Sequence, residues 1–267
     1  MTASPVLSSH LDPALDALVD RVADRQRRDF GHMASDLKAD GTLITACDRW
    51  SDATLVEGLQ WIYPEDGVLS EEGRQVVPDT PSFWVVDPLD GTTNFAAGIP
   101  YWAISLARFE RGRPVLAVLD VPPLRQRIVA IRGEGAWRNG KRLEPPSLQA
   151  RTAGCASLCS RSIGVLQKLP NLRFPGKIRL LGVASLNLVS VAMGQTVAAL
   201  EATPKLWDLA AAWLVLDELA CPLRWLDAEP QLLKIGSDQA TQDYPVLAAD
   251  SEDSLERFLP WAEALLD

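Results

Sequence analysis

The sequence predicts a mixed fold that is α+β in its first half and α/β in its second. Two patterns indicate this: a series of strand-like segments before a hairpin turn at Asn139-Gly140, and alternating helical and strand-like segments in the rest of the chain. The third observation is composition, since 47% of the 267 residues are hydrophobic and 23% are charged. That balance supplies a core, and it excludes disorder, collagen and coiled coil as descriptions of the whole chain.

The first predicted element is a helix that begins at Asp12-Pro13, because aspartate is a good N-cap and proline fits the first helical position. Residues 42–45 alternate like a short strand, and a helix follows from about Asp48. A compact apolar strand over residues 83–86 runs into Asp87-Pro88-Leu89-Asp90-Gly91, where proline and glycine predict a turn. Three further strands are expected to form an antiparallel meander, over residues 102–109, 115–121 and 127–131.

The second half is predicted to contain a long apolar helix from Trp207-Asp208 and a last helix capped by Ser251. Residues 180–200 carry no charge, but polar residues and two glycines interrupt them, so we expect a buried helix and strand rather than a membrane span. The remaining elements are expected as helices around residues 162–169 and from 185, and as strands at 178–181, 197–201, 223–226 and 246–249.

The best linker in the chain is Pro145-Pro146-Ser147. We therefore expect an N-terminal α+β half over residues 1–145 and a C-terminal α/β half over residues 146–267, joined as one compact unit. The length is compatible with either one large domain or two closely joined halves.

Charge and histidine content exclude several classes of function. Twenty-six basic and 35 acidic residues give a net charge of -9, which repels nucleic acid and anionic membranes, so neither is expected as a partner. An anionic small molecule would need bound cations. The two histidines, His10 and His32, leave almost no material for a histidine-built zinc site or a Ser-His-Asp triad. We therefore expect chemistry based on carboxylates, hydroxyls or a cofactor.

The cysteines and the N-terminus favour a cytoplasmic location. No Cys-x-x-Cys pair occurs, and the four cysteines are interpreted as small buried hydrophobes in a reducing compartment. Cys155 and Cys159 are four residues apart, which would place them on one face of a helix, and a disulfide between them is the alternative. The N-terminal residues show neither a basic start nor an apolar region, so no signal peptide is expected there.

The turn that begins at Asp87 is the most informative segment for function. It brings Asp87 and Asp90 close together, and two such carboxylates repel each other unless a cation lies between them. Hard divalent cations such as Mg²⁺ bind carboxylate and carbonyl oxygen. Gly91 would let a ligand approach the backbone, and the amides of Thr92 and Thr93 would face an anion if a helix starts there. The alternative is a turn whose aspartates cap the next helix, which explains one aspartate well and two poorly.

Three further acidic features could complete a metal site. They are the pair Glu71-Glu72 in a loop before the strand, Asp208 at the start of the apolar helix, and Asp48 in a similar place. An exposed acidic loop and two ordinary N-caps are the alternative interpretations. Each feature is weak alone, and the two-aspartate turn strengthens them all.

Several motifs together resemble the inositol monophosphatase family, within the lithium-sensitive, magnesium-dependent phosphatases. The segment from Trp84 to Phe95, which reads WVVDPLDGTTNF, is similar to the first family signature, and WDLAA from Trp207 is similar to the second. The other matching segments are Ser70-Glu71-Glu72-Gly73, the Thr-Ala-Cys-Asp sequence that ends at Asp48, and the hairpin over residues 135–140.

The resemblance implies a layered α/β/α/β/α fold, two or three Mg²⁺ ions and a homodimer. It implies that the metal ligands are carboxylates and one backbone carbonyl, namely Glu71, Asp87, Leu89, Asp90 and Asp208. It implies that Asp48 and Thr92 activate the attacking water. It also implies a set of contacts to the phosphate and the rest of the substrate: Gly91, Thr92, Thr93, Gly182, Val183, Ala184 and Glu201.

The chain departs from the family pattern at two places. Val183 stands where the family usually has serine or threonine, so a hydroxyl that could bind a polyol is missing. Ala220-Cys221-Pro222 replaces the usual glycine pair after the second signature. Glu201 has two interpretations, a strand end that faces solvent or a carboxylate in the substrate cleft.

The predicted function is hydrolysis of a small phosphorylated metabolite, such as an inositol monophosphate, by a Mg²⁺-dependent phosphomonoesterase that lithium inhibits. Histidinol phosphate, a sugar phosphate, fructose bisphosphate and a phosphorylated adenosine nucleotide are alternative substrates. A metal- or phosphate-binding regulator on the same fold is the alternative outside the enzymes.

Overall fold

The computed structural model describes residues 10–32, 35–38, 41, 43–147, 154–227 and 233–266. The helices are α1 Pro13–Asp29, α2 Ala46–Ile62, α3 Thr92–Ala96, α4 Val165–Lys168, α5 Ala184–Ala192, α6 Leu206–Glu218 and α7 Glu252–Glu263. The strands up to residue 121 are β1 Ser35–Leu37, β2 Leu43–Thr45, β3 Gly67–Ser70, β4 Ser82–Asp90, β5 Ala103–Glu110 and β6 Arg113–Val121. The later strands are β7 Gln126–Ile131, β8 Gly135–Arg138, β9 Lys141–Arg142, β10 Cys155–Leu158, β11 Lys177–Arg179, β12 Ala198–Glu201, β13 Leu223–Trp225 and β14 Val246–Ala249.

A seven-stranded sheet contains β3 to β9 in chain order. Its first two strands are parallel, and the others form the predicted antiparallel meander. Asn139 and Gly140 both have positive φ angles, as a tight two-residue hairpin requires. The expected hairpin turn is therefore present.

A five-stranded mixed sheet is built from the second half, in the order β11-β10-β12-β14-β13. The strand β10 is parallel to β11 and β12, while β14 is antiparallel to both of its neighbours. Each parallel connection runs through helical segments, which agrees with the alternation seen in the sequence.

The two sheets and the helices form the expected α/β/α/β/α layers. Apolar residues of α1 and α2 pack on the outer face of the seven-stranded sheet. The helices α5 and α6 are almost entirely buried and pack between the two sheets. The helix α7 covers the other face of the five-stranded sheet. Because α5 and α6 are buried on all sides, their first turns lie where both sheets can contribute side chains.

Several element boundaries differ from the sequence-based expectation. The strand β4 does not end at Val86 but continues to Asp90, with its register against β5 shifted between Asp87 and Asp90. The helix α2 begins at Ala46 rather than near Asp48, because Thr45 is its N-cap. The helix α6 begins at Leu206, one residue before the predicted start.

The segment around residues 162–169 is a short 3₁₀ helix over Ser160–Gly164 followed by α4. Cys155 lies in β10, so this segment is not helical and Cys155 and Cys159 do not share a helix face. All four cysteines are free thiols, which also excludes the disulfide.

The seven-stranded sheet lies within residues 67–142 and the five-stranded sheet within residues 155–249. The division at residue 145 stays a prediction. Residue 42, in the strand predicted over residues 42–45, lies outside the described residues. So do residues 1–9, where no signal peptide was expected. Within the described part of the chain, no helix combines the length and the apolar character needed to cross a membrane.

Candidate active site

The end of β4 places two aspartates in a buried turn. Asp87 and Asp90 are 1% and 8% exposed. The following residue, Gly91, has φ 102° and is the N-cap of α3. A Cβ atom on Gly91 would lie 2.8 Å from Val183 Cγ2, so both the backbone angle and the close approach require glycine here. The turn is therefore packed directly against the start of α5.

An acidic cluster is formed where three elements meet. Glu71, Asp87 and Asp208 each offer a carboxylate oxygen, and these three atoms lie within 4.8 Å of one another. Glu71 follows β3, and its backbone N–H donates to Val86 O at 3.0 Å. Asp208 lies in the first turn of α6, where its Oδ2 accepts a hydrogen bond from Lys205 N at 2.7 Å. Asp208 is therefore not the N-cap of α6, since Lys205 holds that position.

Burial and mutual repulsion disfavour the ionised form of these groups. Burial first, and then the charges of Glu71, Asp90 and Asp208, raise the pKa of Asp87 well above its usual range. The pKa of Asp208 is raised well above its usual range by burial and by Asp90 and Glu71. Burial raises the pKa of Asp90 to about 6, although hydrogen bonds from Ser185 lower it. A cation bound among these carboxyl groups would favour their ionised forms and lower their pKa values.

The donor atoms of the cluster suit a hard divalent cation. Asp87 Oδ1 accepts a hydrogen bond from Leu89 N at 2.9 Å, whereas the buried Asp87 Oδ2 accepts none from the described residues. A buried carboxylate oxygen without a donor is unusual, and a cation satisfies it. Oxygen donors from carboxylates are those that Mg²⁺ prefers.

Lys38 lies beside the cluster and was assigned no role from the sequence. Its Nζ is 2.8 Å from Glu71 Oε1 and also donates to Glu72 Oε1. The spacing of 33 residues between Lys38 and Glu71 carries no periodicity that could have revealed this contact. Lys38 supplies a positive charge at the edge of the acidic site.

Asp48 and Thr92 form a hydrogen-bonded pair next to the turn. Thr92 Oγ1 donates to Asp48 Oδ1 at 2.7 Å, and Leu89 O is 3.1 Å from the same hydroxyl. Asp48 Oδ2 accepts a hydrogen bond from Thr45 N at 2.8 Å, in a capping box with Thr45. The carboxylate is therefore fixed from both sides. Asp48 lies within the first turn of α2 rather than before that helix, which corrects its predicted position.

The first turn of α5 reaches the acidic turn through backbone contacts. Ser185 N donates to Asp90 Oδ2 at 2.8 Å, and Asn94 Nδ2 donates to Leu181 O at 2.8 Å. Gly182 has φ 75°, and Val183 is the buried N-cap of α5. The predicted segment Gly182-Val183-Ala184 therefore lies beside the predicted phosphate-binding residues, whose last member, Thr93, is exposed. Sequence reasoning did not identify Asn94, although it belongs to the first signature motif.

Glu201 at the end of β12 is buried, with 2% of its surface exposed. The interpretation as a strand end that faces solvent is therefore wrong. Asn187 Nδ2 donates to Glu201 Oε1 at 2.7 Å. Burial raises the pKa of Glu201 to about 8, the Asn187 hydrogen bond opposes this, and the charge of Asp90 adds to the increase. This carboxyl group is thus close enough to the acidic site to interact with it.

Comparison with known proteins agrees with this geometry. Residues 10–256 match the model of the inositol monophosphatase family. A histidinol-phosphatase from Mycobacterium tuberculosis is 34% identical over 225 residues, which cover 79% of this chain and 85% of the relative. An inositol-1-monophosphatase from Rhizobium meliloti is 34% identical, with 72% and 76% covered. A protein named Nus factor SuhB from Pseudomonas aeruginosa is also 34% identical, with 66% and 69% covered.

Solved structures show the same fold. An IMPase/NADP phosphatase complexed with Mg²⁺ and phosphate superposes with a TM-score of 0.75 at 26% identity, covering 91% of this chain and 92% of the other. A dual specific IMPase/NADP phosphatase bound with D-inositol-1-phosphate gives a TM-score of 0.73 at the same identity and coverage. The family match spans the turn, the acidic cluster and both sheets, so the chain belongs to the inositol monophosphatase family and is a phosphatase.

Proposed function

We propose that this phosphatase hydrolyses the phosphate monoester of a small, hydroxyl-rich metabolite such as inositol 1-phosphate, and that it requires Mg²⁺. The observation that carries the proposal is the convergence of Glu71, Asp87 and Asp208 oxygens within 4.8 Å of one another. The Asp48–Thr92 pair at the same turn adds a group that can handle a proton. We infer that Asp90 and the Leu89 carbonyl complete the ligand set, for two or three ions.

Bound Mg²⁺ would neutralise the carboxylates, attract phosphate oxygens and make a water molecule more acidic. The residues of the chain would do the remaining work. Asp48 Oδ1 accepts the hydroxyl proton of Thr92, which leaves the oxygen of Thr92 free to accept a proton from the attacking water. The amides at Gly91, Thr92 and Thr93 would hold the phosphate.

The substrate's alcohol portion would lie against the start of α5 and Glu201. Val183 is buried against Gly91 and supplies no hydroxyl there, and Glu201 would be the buried acceptor for substrate donors. A hydroxyl-rich ring and a cationic amine both offer such donors. Histidinol phosphate is therefore the second candidate, because its ammonium group would pair with the Glu201 carboxylate. Fructose bisphosphate, other sugar phosphates and phosphorylated nucleotides complete the set to be tested.

The direct test is phosphate release from a panel of these substrates, with Mg²⁺ and with excess chelator. We expect turnover with Mg²⁺ and none in excess chelator. Full turnover in chelator would overturn the proposal. Asp208→Asn keeps the shape of the side chain and removes one charge from the cluster, so it should abolish most activity. Asp253→Asn, at an exposed aspartate in the first turn of α7, is the matched control and should behave like the wild type.

A homodimer and inhibition by lithium are proposed from the family resemblance alone, and a cytoplasmic location is proposed from the cysteines and the N-terminal sequence. Size-exclusion chromatography with light scattering tests the first, and a lithium titration tests the second. The absence of a nucleic-acid partner also stays a prediction. The alternative outside the enzymes is a regulator that binds metal or phosphate without catalysis. Failure to release phosphate from every substrate of the panel would favour it.

A further inference from the structure

Gln26 on α1 is fully buried, and its side chain contacts the acidic turn at Pro88. Its Nε2 donates to Pro88 O at 2.7 Å and to Ser51 Oγ at 3.2 Å. Its Oε1 accepts a hydrogen bond from Trp102 Nε1 at 3.0 Å. Both the nitrogen and the oxygen of this amide are therefore hydrogen-bonded, in three bonds that join α1 to other parts of the chain.

The hydrogen bond from Gln26 gives the Pro88 carbonyl a donor at a point where strand pairing is interrupted. Pro88 lies between Asp87 and Asp90, where the register of β4 against β5 shifts and the strand pairing is interrupted. A buried carbonyl in such a place needs a donor from elsewhere, since leaving it unpaired costs free energy. Gln26 supplies that donor from a residue 62 positions earlier in the chain.

The next residue is fixed at the same time. The side chain of Leu89 is buried in a small apolar cluster with Phe30, Cys47, Phe95 and Trp102. Its backbone N–H donates to Asp87 Oδ1 at 2.9 Å. With the Pro88 carbonyl held towards α1 and the Leu89 side chain buried below the turn, the peptide between them has one orientation. Through the Leu89 N–H, that orientation acts directly on the carboxylate of Asp87.

We propose that Gln26 is a positioning residue for the metal site. It does not touch the ion, and it acts by holding the Pro88 carbonyl so that the turn presents its oxygens to the cluster. The inference rests on the proposed function for the identity of the ion as Mg²⁺. Polar partners that orient metal ligands typically change metal affinity by about 10- to 100-fold when they are removed.

The test is Mg²⁺ binding to the full chain by isothermal titration calorimetry, with the melting temperature recorded for each variant. Gln26→Met has a similar length but no donor, and we expect it to weaken Mg²⁺ binding about tenfold or more. Val22→Ala is the control for a loosened α1. Val22 is fully buried on the same helix, and its apolar side chain cannot hydrogen-bond to the turn. Ser51→Ala removes the longer of the two bonds from Nε2. Both controls should bind Mg²⁺ as the wild type does.

Gln26→Glu tests the same idea without a change in side-chain size, in case Gln26→Met does not fold. At a pH high enough to ionise its buried carboxyl, this variant faces the Pro88 carbonyl with an acceptor instead of a donor, so the turn should be displaced and Mg²⁺ binding weakened. At lower pH the protonated carboxyl can still donate to Pro88 O, so binding should approach that of the wild type measured at the same pH. The added negative charge of the ionised form alone would strengthen binding, so the two explanations predict opposite signs. Unchanged or tighter binding by the ionised form of Gln26→Glu, or equal weakening by Val22→Ala at the same loss of melting temperature, would overturn the inference. A wild type that binds Mg²⁺ without releasing phosphate would instead overturn the proposed function and leave this inference standing.

Discussion

Thr92 Oγ1 and Asp48 Oδ1, which are 44 residues apart in the chain, lie 2.7 Å from each other beside the acidic turn. We expect Thr92→Ala to lower kcat by about a hundredfold or more, the usual scale for losing general acid–base help. Thr92→Ser keeps the hydroxyl and should retain most of the activity. Calorimetry should show nearly normal Mg²⁺ affinity for both variants. Normal turnover by Thr92→Ala would mean that another group activates the water.

Glu201 should control which substrates are accepted. Removal of a buried acceptor leaves substrate donors unpaired at a cost of about 1–3 kcal/mol, so Glu201→Ala should lower kcat/KM for inositol 1-phosphate by roughly ten- to a hundredfold. The activity on p-nitrophenyl phosphate, which has no such donor, should hardly change. Equal losses on both substrates would assign Glu201 to the metal site or to the fold.

Glu201→Gln separates the two candidate substrate classes. It keeps an acceptor for Asn187 and removes the charge that an ammonium group would need. Steady-state kinetics should therefore show a larger loss for histidinol phosphate than for inositol 1-phosphate if both are hydrolysed. The same loss for both would show that the charge of Glu201 does not select the substrate.

The metal-free protein should lose stability as the pH rises. The pKa of Asp90 in the folded state, about 6, lies above its ordinary value of 3.8. Between these values the folded state binds more protons than the unfolded chain, so the free energy of unfolding falls as the pH increases through that window. The raised pKa values of Asp87 and Asp208 act in the same direction.

Melting curves from pH 4 to pH 8, in chelator and in Mg²⁺, check this expectation. Bound Mg²⁺ requires the ionised carboxylates, so it should restore the melting temperature most at the higher pH. Asp90→Asn should flatten the pH dependence of the metal-free protein. Parallel curves with and without Mg²⁺ would contradict the expected linkage.

Arg127 is the centre of a buried ion cluster that joins α1 to the seven-stranded sheet. It is 6% exposed, and its guanidinium contacts Asp120 at 2.9 Å, Asp20 at 2.8 Å and the carboxylate of Asp16. Arg127→Met would leave buried carboxyl groups without this cation, at a cost of about 3–5 kcal/mol. The melting temperature should fall by roughly 10 °C, since a chain of this size loses a few degrees for each kcal/mol.

The matched control for that prediction is Arg49→Met. Arg49 forms an ion pair with Asp36 at 3.2 Å, but both side chains are more than half exposed. Exposed pairs contribute at most about 1 kcal/mol, so the melting temperature should change little. Equal shifts for the two variants would show that the Arg127 cluster adds no more than a surface pair.

The strands, the helices and the two-aspartate turn were predictable because each depends on a local pattern, whereas the layered arrangement and the set of metal ligands were expected from the family resemblance. Alternation of apolar residues marks the strands, and the two-aspartate turn is a dense local signal. The expected start of α2 near Asp48 is too late, because Asp48 is the third residue of the helix in a capping box and Thr45 is the N-cap. The four-residue spacing of Cys155 and Cys159 does not indicate a helix, since it also occurs across a strand and the loop after it.

The contacts that shape the site could not be predicted in the same way. Gln26 reaches Pro88 and Lys38 reaches Glu71 only because the chain folds back over tens of residues. Such contacts depend on how α1 and the loop before β2 pack on the sheet. No periodicity in the sequence encodes that packing, so these residues were identified only from the structure.

The hydrogen bond from Ser185 N to Asp90 Oδ2 constrains how substrate preference can diverge among proteins built on this plan. An insertion or deletion between β11 and α5 would move this amide and withdraw it from the buried aspartate. A change in the length of this loop that altered the substrate preference would therefore also disturb the acidic site. A side-chain replacement that keeps the length of this segment does not shift the amide in that way. Point substitution is accordingly the evolutionary route that this architecture leaves open for new substrates.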